Sequence, residues 1–231
     1  MQFPRPLTEA RLLRRYKRFL ADVVLPDGAE VTIHCPNPGA MTGLAEPGTR
    51  VWIAPSRPGS KLAWGWKLAE LPQGGMAVID TSLANGVVAE ALGAGLITGL
   101  PAFSGFRAEV RMDADSRIDF CLTTAEGPFW LEVKSVTLAR QAGLAEFPDS
   151  RTARGAKHLE GLRAARLRGE GAAMLYLLSR SACDRITIAG DIDPAYARAF
   201  AEARAAGVQM LGLACDISPE GVTARRMVPV I

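Results

Sequence analysis

RIDFCLTTAEGPFWLEVKSVTL, residues 117–138, is the stretch from which the fold follows. Two runs rich in β-branched and aromatic residues, 117–123 and 129–138, flank TTAEGP. Gly127 and Pro128 make that link a turn-like cluster, so the unit reads as a β-hairpin. With the turn centred between Ala125 and Glu126, Asp119 stands opposite Glu132. Directly opposed residues hold their Cβ atoms roughly 4.5–5.5 Å apart. Lys134 follows Glu132 by two positions and leaves the same face. Phe120, Leu131 and Val133 make the other face apolar, while Trp130 and Val136 add bulk to the charged one. Both strands are therefore expected to be largely buried, and charges there need a partner or a task.

Two carboxylates on neighbouring strands repel unless positive charge lies between them. Lys134 supplies some, and a hard divalent cation would supply more. Mg²⁺ typically takes one or two protein carboxylates and completes its shell with water and phosphate oxygens. The pattern thus points to a Mg²⁺ (or Mn²⁺) site with an ammonium beside it, the apparatus of phosphodiester hydrolysis. Lysine is the rarer cation here, five among 27 basic residues, and a compact ammonium does work that a guanidinium fork does not. The plainer alternative is a surface hairpin with a cross-strand Glu/Lys pair.

Asp119 followed by Glu132-Val133-Lys134 resembles the PD-(D/E)XK nuclease pattern. RYKRFLADV (15–23), HCPNPGAMTG (34–43), SRIDF (116–120), LEVKSVTL (131–138) and FPDSRTARGAKHLEGL (147–162) occur in this order. Together they are similar to the sugar fermentation stimulation protein A family over nearly the whole chain. The resemblance implies a DNA-binding protein of α/β (α+β) class. It implies an N-terminal OB-like β-barrel at residues 1–80, then a PD-(D/E)XK nuclease-like mixed sheet flanked by helices at 81–231. Where the family usually carries threonine, this chain has Pro38, which removes a hydroxyl and with it a direct ligand role at that position.

The rest of the chain is read around that unit. A content of 48% hydrophobic and 22% charged residues suits a globular protein, and a net charge of +3 permits an anionic partner without demanding one. Four cysteines without Cys-x-x-Cys spacing are expected as free thiols. No apolar run reaches the roughly 18 residues of a membrane helix, and the N-terminus lacks an apolar core, so a cytoplasmic protein is expected.

Arg14, Arg15, Lys17 and Arg18 form a cationic run around Tyr16, leading into a strand, a Pro26-Asp27-Gly28 turn and a returning strand. Such an edge suits a nucleic-acid backbone, or a solvated strand edge guarded by cations. His34 reads as a structural histidine, since no second histidine lies nearby. Short strands near 51–54, 62–71 and 76–79 fit a small barrel, with Trp52, Trp64 and Trp66 as core or rim residues or as base-stacking groups.

A helix from Asp80, Thr81 or Ser82 to about Leu92 puts Leu83, Val87 and Glu90 on one face. An early helix of the nuclease fold often contributes an acid, and Glu90 matches that place as a third metal ligand or water orienter. Glu109, on a strand at 108–112, is a further acid that could face the site. The helix after Pro148-Asp149-Ser150 carries Arg151, Arg154 and His158 on one face with Lys157 alongside, a surface for phosphates. Residues 172–178 fit a central strand buried on both faces, and Asp193-Pro194 opens a further helix.

The function this supports is a DNA-binding protein with Mg²⁺-dependent phosphodiester hydrolysis, without strong sequence preference. Its metal ligands would be Asp119, Glu132 and Glu90, and its catalytic residues these three with Lys134. The alternative is a non-catalytic, non-specific DNA-binding regulator linked to sugar metabolism.

Overall fold

A computed structural model of the chain describes residues 1–112 and 117–231; Ser116 of the SRIDF motif lies outside the described residues. Six strands build the first body: β1 (Thr8–Tyr16), β2 (Leu20–Val24), β3 (Glu30–His34), β4 (Arg50–Pro55), β5 (Trp64–Glu70) and β6 (Met76–Val78). Their order is β3-β2-β1-β4-β5-β6, and β3 pairs again with β5 through His34 and Gly65, closing five strands into a barrel. Period-2 alternation fills it: Ala10, Leu12, Ala21, Val23, Ile33, Val51, Ile53 and Trp66 share one core. The Trp66 indole N–H donates to the Leu68 carbonyl at 2.9 Å, so its ring is buried with no orphan donor. Trp64 packs half-buried against this core, and Trp52 joins the neighbouring one. Two of the three candidate stacking tryptophans are thus core residues.

The second body begins with α1 (Leu83–Gly93), β7 (Phe103–Arg111), β8 (Arg117–Thr124) and β9 (Gly127–Val136). It continues with β10 (Leu138–Gln141), β11 (Gly143–Phe147), α2 (Ala153–Leu167), β12 (Gly171–Leu178), β13 (Cys183–Ile188), α3 (Pro194–Ala205), β14 (Gln209–Ser218) and β15 (Gly221–Val228). The main sheet has the order β15-β14-β12-β9-β8-β7, with β12 parallel to both β9 and β14 and the other pairs antiparallel. Helix α1 covers one face and helices α2 and α3 the other. The residues of β12 from Ala172 to Leu178 are all buried, which is why that strand reads as one apolar run. Strands β10, β11 and β13 form a separate small sheet.

Each helix start has a local cause. The Thr152 hydroxyl accepts from the Gly155 N–H at 3.1 Å, and the Asp193 carboxylate accepts from the Tyr196 N–H at 3.0 Å. Asp193 also accepts from the Thr152 N–H at 2.8 Å, which ties the beginnings of α2 and α3 together. Ser82 makes no side-chain cap for α1. Buried Asp80 organises that turn instead: it accepts from the Ser82 N–H and hydroxyl and pairs with Lys67 of β5.

The two bodies share a core. Strand β6 bonds to β5 on one edge. On the other, Val78 N–H donates to the Ser179 carbonyl at 2.9 Å and Ser181 N–H to the Met76 carbonyl at 2.8 Å. Trp52, Leu68 and Val78 of the barrel pack with Val87, Val88 and Leu131. The first residues cross over too: Phe3 N–H donates to the Glu220 carbonyl at 2.9 Å. Asp149 completes the junction, accepting from the Met41 N–H at 3.1 Å while its carboxylate lies against the Cα of Gly39.

A Cβ at Gly39 would overlap that carboxylate. Gly39→Ala is therefore expected to push the 34–43 loop away from Asp149 and lose the Met41 hydrogen bond, worth about 1.5–3 kcal/mol when a charged acceptor is involved. In a chain of this size roughly 1 kcal/mol shifts Tm by about 2–4 °C. A thermal melt showing no decrease would mean the loop does not rest on Asp149.

Candidate functional site

The β8–β9 ladder pairs Thr124 with Gly127 and continues in register to Phe120 and Leu131. One residue further, the ladder gives way to side-chain bonding. Asp119 Oδ2 accepts from the Val133 N–H at 2.8 Å and Oδ1 from the Asn85 amide at 2.8 Å. The same amide donates to Glu109 at 3.3 Å. On the other edge of β8, Ala108 pairs with Phe120 and Val110 with Ile118, and Glu109 between them has a φ of 54°. Left-handed backbone at a non-glycine residue costs of order 1–3 kcal/mol and clusters at functional sites. Here it aims a carboxylate at the Asn85–Asp119 pair.

Glu132 is 2% exposed and sits on the face covered by α2. Its Oε1 accepts from Lys134 Nζ at 2.5 Å and meets His158 Nδ1 in a short contact. Lys134 Nζ is itself 3.3 Å from that ring nitrogen. Arg154 Nε donates to His158 Nε2 at 3.4 Å, fixing the ring from its other side. Glu132 Oε2 is buried and has no hydrogen-bond partner among the described residues.

The two acids are pushed apart electrically. Burial raises the Asp119 pKa and the charge of Glu132 raises it further, against the opposing Val133 N–H, Asn85 amide and Lys134. Burial acts on Glu132 in the same direction, but the His158 hydrogen bond and the charge of Lys134 outweigh it and hold that carboxyl below its ordinary range. Paired titratable groups with opposed shifts are a signature of functional sites.

These groups line a cleft of about 690 Å³ between the bodies. Asn37 to Gly39 and Arg18 contribute from the barrel, and Arg151, Thr152 and Arg154 from the start of α2. Among the described residues no group of three or more His, Cys, Asp or Glu is placed to hold a metal. Asp119 and Glu132 nonetheless fit a hard divalent cation. They offer two hard oxygen donors, one with its Oε2 unpartnered, which is the one-or-two-carboxylate set that Mg²⁺ takes while keeping its waters.

The structure brings Asp119, Glu132 and Lys134 together and places other sequence candidates elsewhere. Glu90 is corrected in position: its carboxylate is 59% exposed and pairs with the Met1 amino group. The buried stripe of α1 is Ala84, Val87, Val88 and Ala91, so Glu90 falls outside it and Asn85 is the side chain that reaches Asp119. His158 is corrected as well. Instead of facing phosphates from an exposed helix side, it is 5% exposed and packed on Glu132, while Arg151, Arg154 and Lys157 are exposed. Arg15 braces the 34–43 loop, donating to the carbonyls of Asn37 and Gly39 at 2.9 Å each. Arg14 lies over the Tyr16 ring and pairs with Asp22, and Lys17 is exposed. Asn85 escapes the sequence reading because the buried face runs through the small residues Ala84 and Ala91 as well as Val87, Val88 and Leu92. The one available signal was a polar residue in the first turn of a helix entering the sheet.

Comparison with known proteins follows the same division. Residues 82–221 match the family described as "Sugar fermentation stimulation protein RE domain", and residues 13–79 match "SfsA N-terminal OB domain". A sugar fermentation stimulation protein homolog of Ruegeria sp. (strain TM1040) is 53% identical over 231 residues, covering 99% of this chain and 100% of that protein. One from Ruegeria pomeroyi is 54% identical over 227 residues, covering 96% and 97%. A solved structure, Pyrococcus furiosus SfsA in complex with Ca²⁺, superposes with a TM-score of 0.89 at 25% identity, covering 100% of this chain and 98% of that one.

Because Asp119 binds its proton more tightly when folded, its ionisation weakens folding. The penalty is absent in acid, grows as pH rises from the ordinary aspartate range through the folded value, and is full at neutral pH. Asp119→Asn gives up one of two accepting oxygens but removes the ionisation penalty, so its metal-free Tm relative to the parent is expected to be higher at neutral pH than in acid, and any rise in Tm on adding Mg²⁺ to be abolished. At about 2–4 °C per kcal/mol, melts with and without chelator would resolve this. A difference between variant and parent that falls as pH rises would reverse the sign.

Proposed function

The chain belongs to the sugar fermentation stimulation protein family, and from that premise we propose that it binds DNA and hydrolyses its phosphodiester bonds with a bound Mg²⁺ or Mn²⁺. The observation that carries the reading is Glu132, buried with Oε2 unpartnered among the described residues, beside Lys134 and sharing a cleft with Asp119. A buried carboxylate oxygen left without a donor costs of order 1–3 kcal/mol or more, which a cation offsets. The Ca²⁺ named with the Pyrococcus furiosus structure supports a divalent ion.

Asp119 and Glu132 would hold the cation, with Glu109 near enough to Asn85 to orient water. When bound, the cation would lower the pKa of a water and polarise the phosphoryl group. The chain's own residues do the rest. Asn85 and the Val133 N–H fix the Asp119 carboxylate, and His158 fixes Glu132 with one oxygen turned away. Lys134 has three N–H donors and spends one on Glu132, leaving another to hold the attacking water and offset charge on the five-coordinate phosphorus. Arg18, Arg151 and Arg154 line the same cleft and would hold flanking phosphates, aided by the positive N-terminal end of α2. Among the described residues no helix is long and apolar enough to cross a membrane. The four free cysteines suit a reducing cytosol.

The test is incubation of the protein with single- and double-stranded DNA under chelator, Mg²⁺ or Mn²⁺. Metal-dependent cleavage is expected, reduced about 10²–10⁴-fold in Lys134→Ala, the range for losing a positioned proton-handling or charge-stabilising group. Glu90→Ala should cleave as the parent does. Binding without turnover under every divalent metal would reduce the protein to a non-catalytic DNA binder. Undiminished cleavage by Lys134→Ala would move the chemistry to other residues.

A further inference from the structure

The turn joining β1 to β2 consists of Lys17, Arg18 and Phe19, without the Gly, Asn or Asp that left-handed backbone favours. Lys17 and Arg18 nevertheless have φ values of 46° and 61°. Such residues persist only where their surroundings over-determine them, and this turn is clamped on three sides. Arg15 Nε donates to the Arg18 carbonyl at 3.1 Å, Phe19 N–H to the Lys17 carbonyl at 2.6 Å, and Cys35 N–H to the Phe19 carbonyl at 2.9 Å.

The clamp holds an aromatic ring in solvent. Phe19 is 44% exposed, one of few large hydrophobics so placed among the described residues. Beside it stands the exposed ring of His34, with centroids 6.5 Å apart and planes inclined by 35°. Arg18, the residue before Phe19, lines the cleft that holds Asp119 and Glu132. Lys17 is exposed on the preceding position. Arg18 thus reaches the cleft of the acid pair from the same turn that presents the Phe19 ring and exposes Lys17.

We propose that Phe19 and His34 form a base-stacking platform for single-stranded DNA whose backbone passes Arg18 into the cleft. The inference rests on the nuclease reading and deepens it by naming the form of the substrate. Bases inside a duplex already stack on their neighbours, so a surface ring receives only an unpaired strand or end. The flanking Lys17 and Arg18 match a phosphate backbone and not an apolar protein partner. Stacking is indifferent to base identity, which agrees with a site that has no strong sequence preference.

The test is binding of the full chain to a labelled single-stranded oligonucleotide and to a blunt duplex, by fluorescence anisotropy in chelator, where hydrolysis is silent. Stacking is worth about 1–3 kcal/mol per base, so Phe19→Ala should weaken single-strand binding about 5–150-fold and leave duplex binding unchanged. Phe19→Trp should retain single-strand affinity. Equal melting temperatures of parent and variants would show that the exposed ring is not a folding element. Loss of affinity equal for both DNA forms, or no loss, overturns the platform. If Phe19 governs single-strand affinity but no metal ever supports cleavage, the platform stands and the nuclease reading falls. If cleavage occurs while Phe19→Ala binds single strands as the parent does, the platform alone falls.

Discussion

Two carboxylates on adjoining strands, one of them sealed from solvent, are the constraint around which this structure is arranged. Neither could be left alone, since an unpaired ion in the interior costs several kcal/mol. Glu132 is compensated by Lys134 two residues along its own strand and by His158 from the helix above. Asp119 is compensated mainly by dipoles, a backbone N–H and an asparagine amide, with a smaller contribution from the charge of Lys134. That asymmetry is why burial wins at Asp119 and loses at Glu132. One acid is kept ionised while its neighbour resists ionisation, and both face a common space.

Holding this pair requires parts from distant sequence. Asn85 is positioned because α1 begins at the end of the barrel, where Asp80 joins Lys67 of β5 to the helix's first residues. His158 is positioned because Thr152 starts α2 and Asp193 ties that start to α3. The barrel loop is held by Arg15 on its own carbonyls and by Asp149 from the second body. A core running from Trp52 and Val78 into Val88 and Leu131 makes the junction continuous. The barrel therefore supplies a wall of the cleft as well as its own surface.

How much of this was legible depended on range. The hairpin was readable because register follows from a short turn, and period-2 alternation assigns each side chain to a face. The central strand β12 and the capped start of α3 declared themselves through an apolar run and Asp193-Pro194. Glu90 misleads because its spacing puts it on a stripe with Leu83 and Val87, while the buried face is Ala84, Val87, Val88, Ala91 and Leu92. His158 was read as surface because a basic helix face looks solvated until the partner carboxylate is known to lie beneath it. The turn at Lys17–Phe19 was invisible, since nothing in its residue types announces a reversal; the clamping groups come from Arg15 and Cys35. Residues 129–138 likewise read as one strand, because only tertiary pairing shows that β10 leaves for the small sheet with β11 and β13.

The strain follows the same logic as the charges. Left-handed backbone at Glu109, Lys17 and Arg18 is unfavourable locally; side-chain bonds from Asn85 and Arg15 hold Glu109 and Arg18, and the backbone bond from Phe19 holds Lys17. At Glu109 the beneficiary is the acid pair; at the β1–β2 turn it is an exposed ring beside the cleft. A carboxylate oxygen without a donor, a repelling neighbour, a strained residue in β7 and a strained turn are all costs carried by the isolated chain. On the proposed reading each is relieved by what binds: a cation between the carboxylates, phosphates against Arg18, a base against Phe19. Ligand and metal would then stabilise the same fold, because anything that binds the native state preferentially adds its binding free energy to folding.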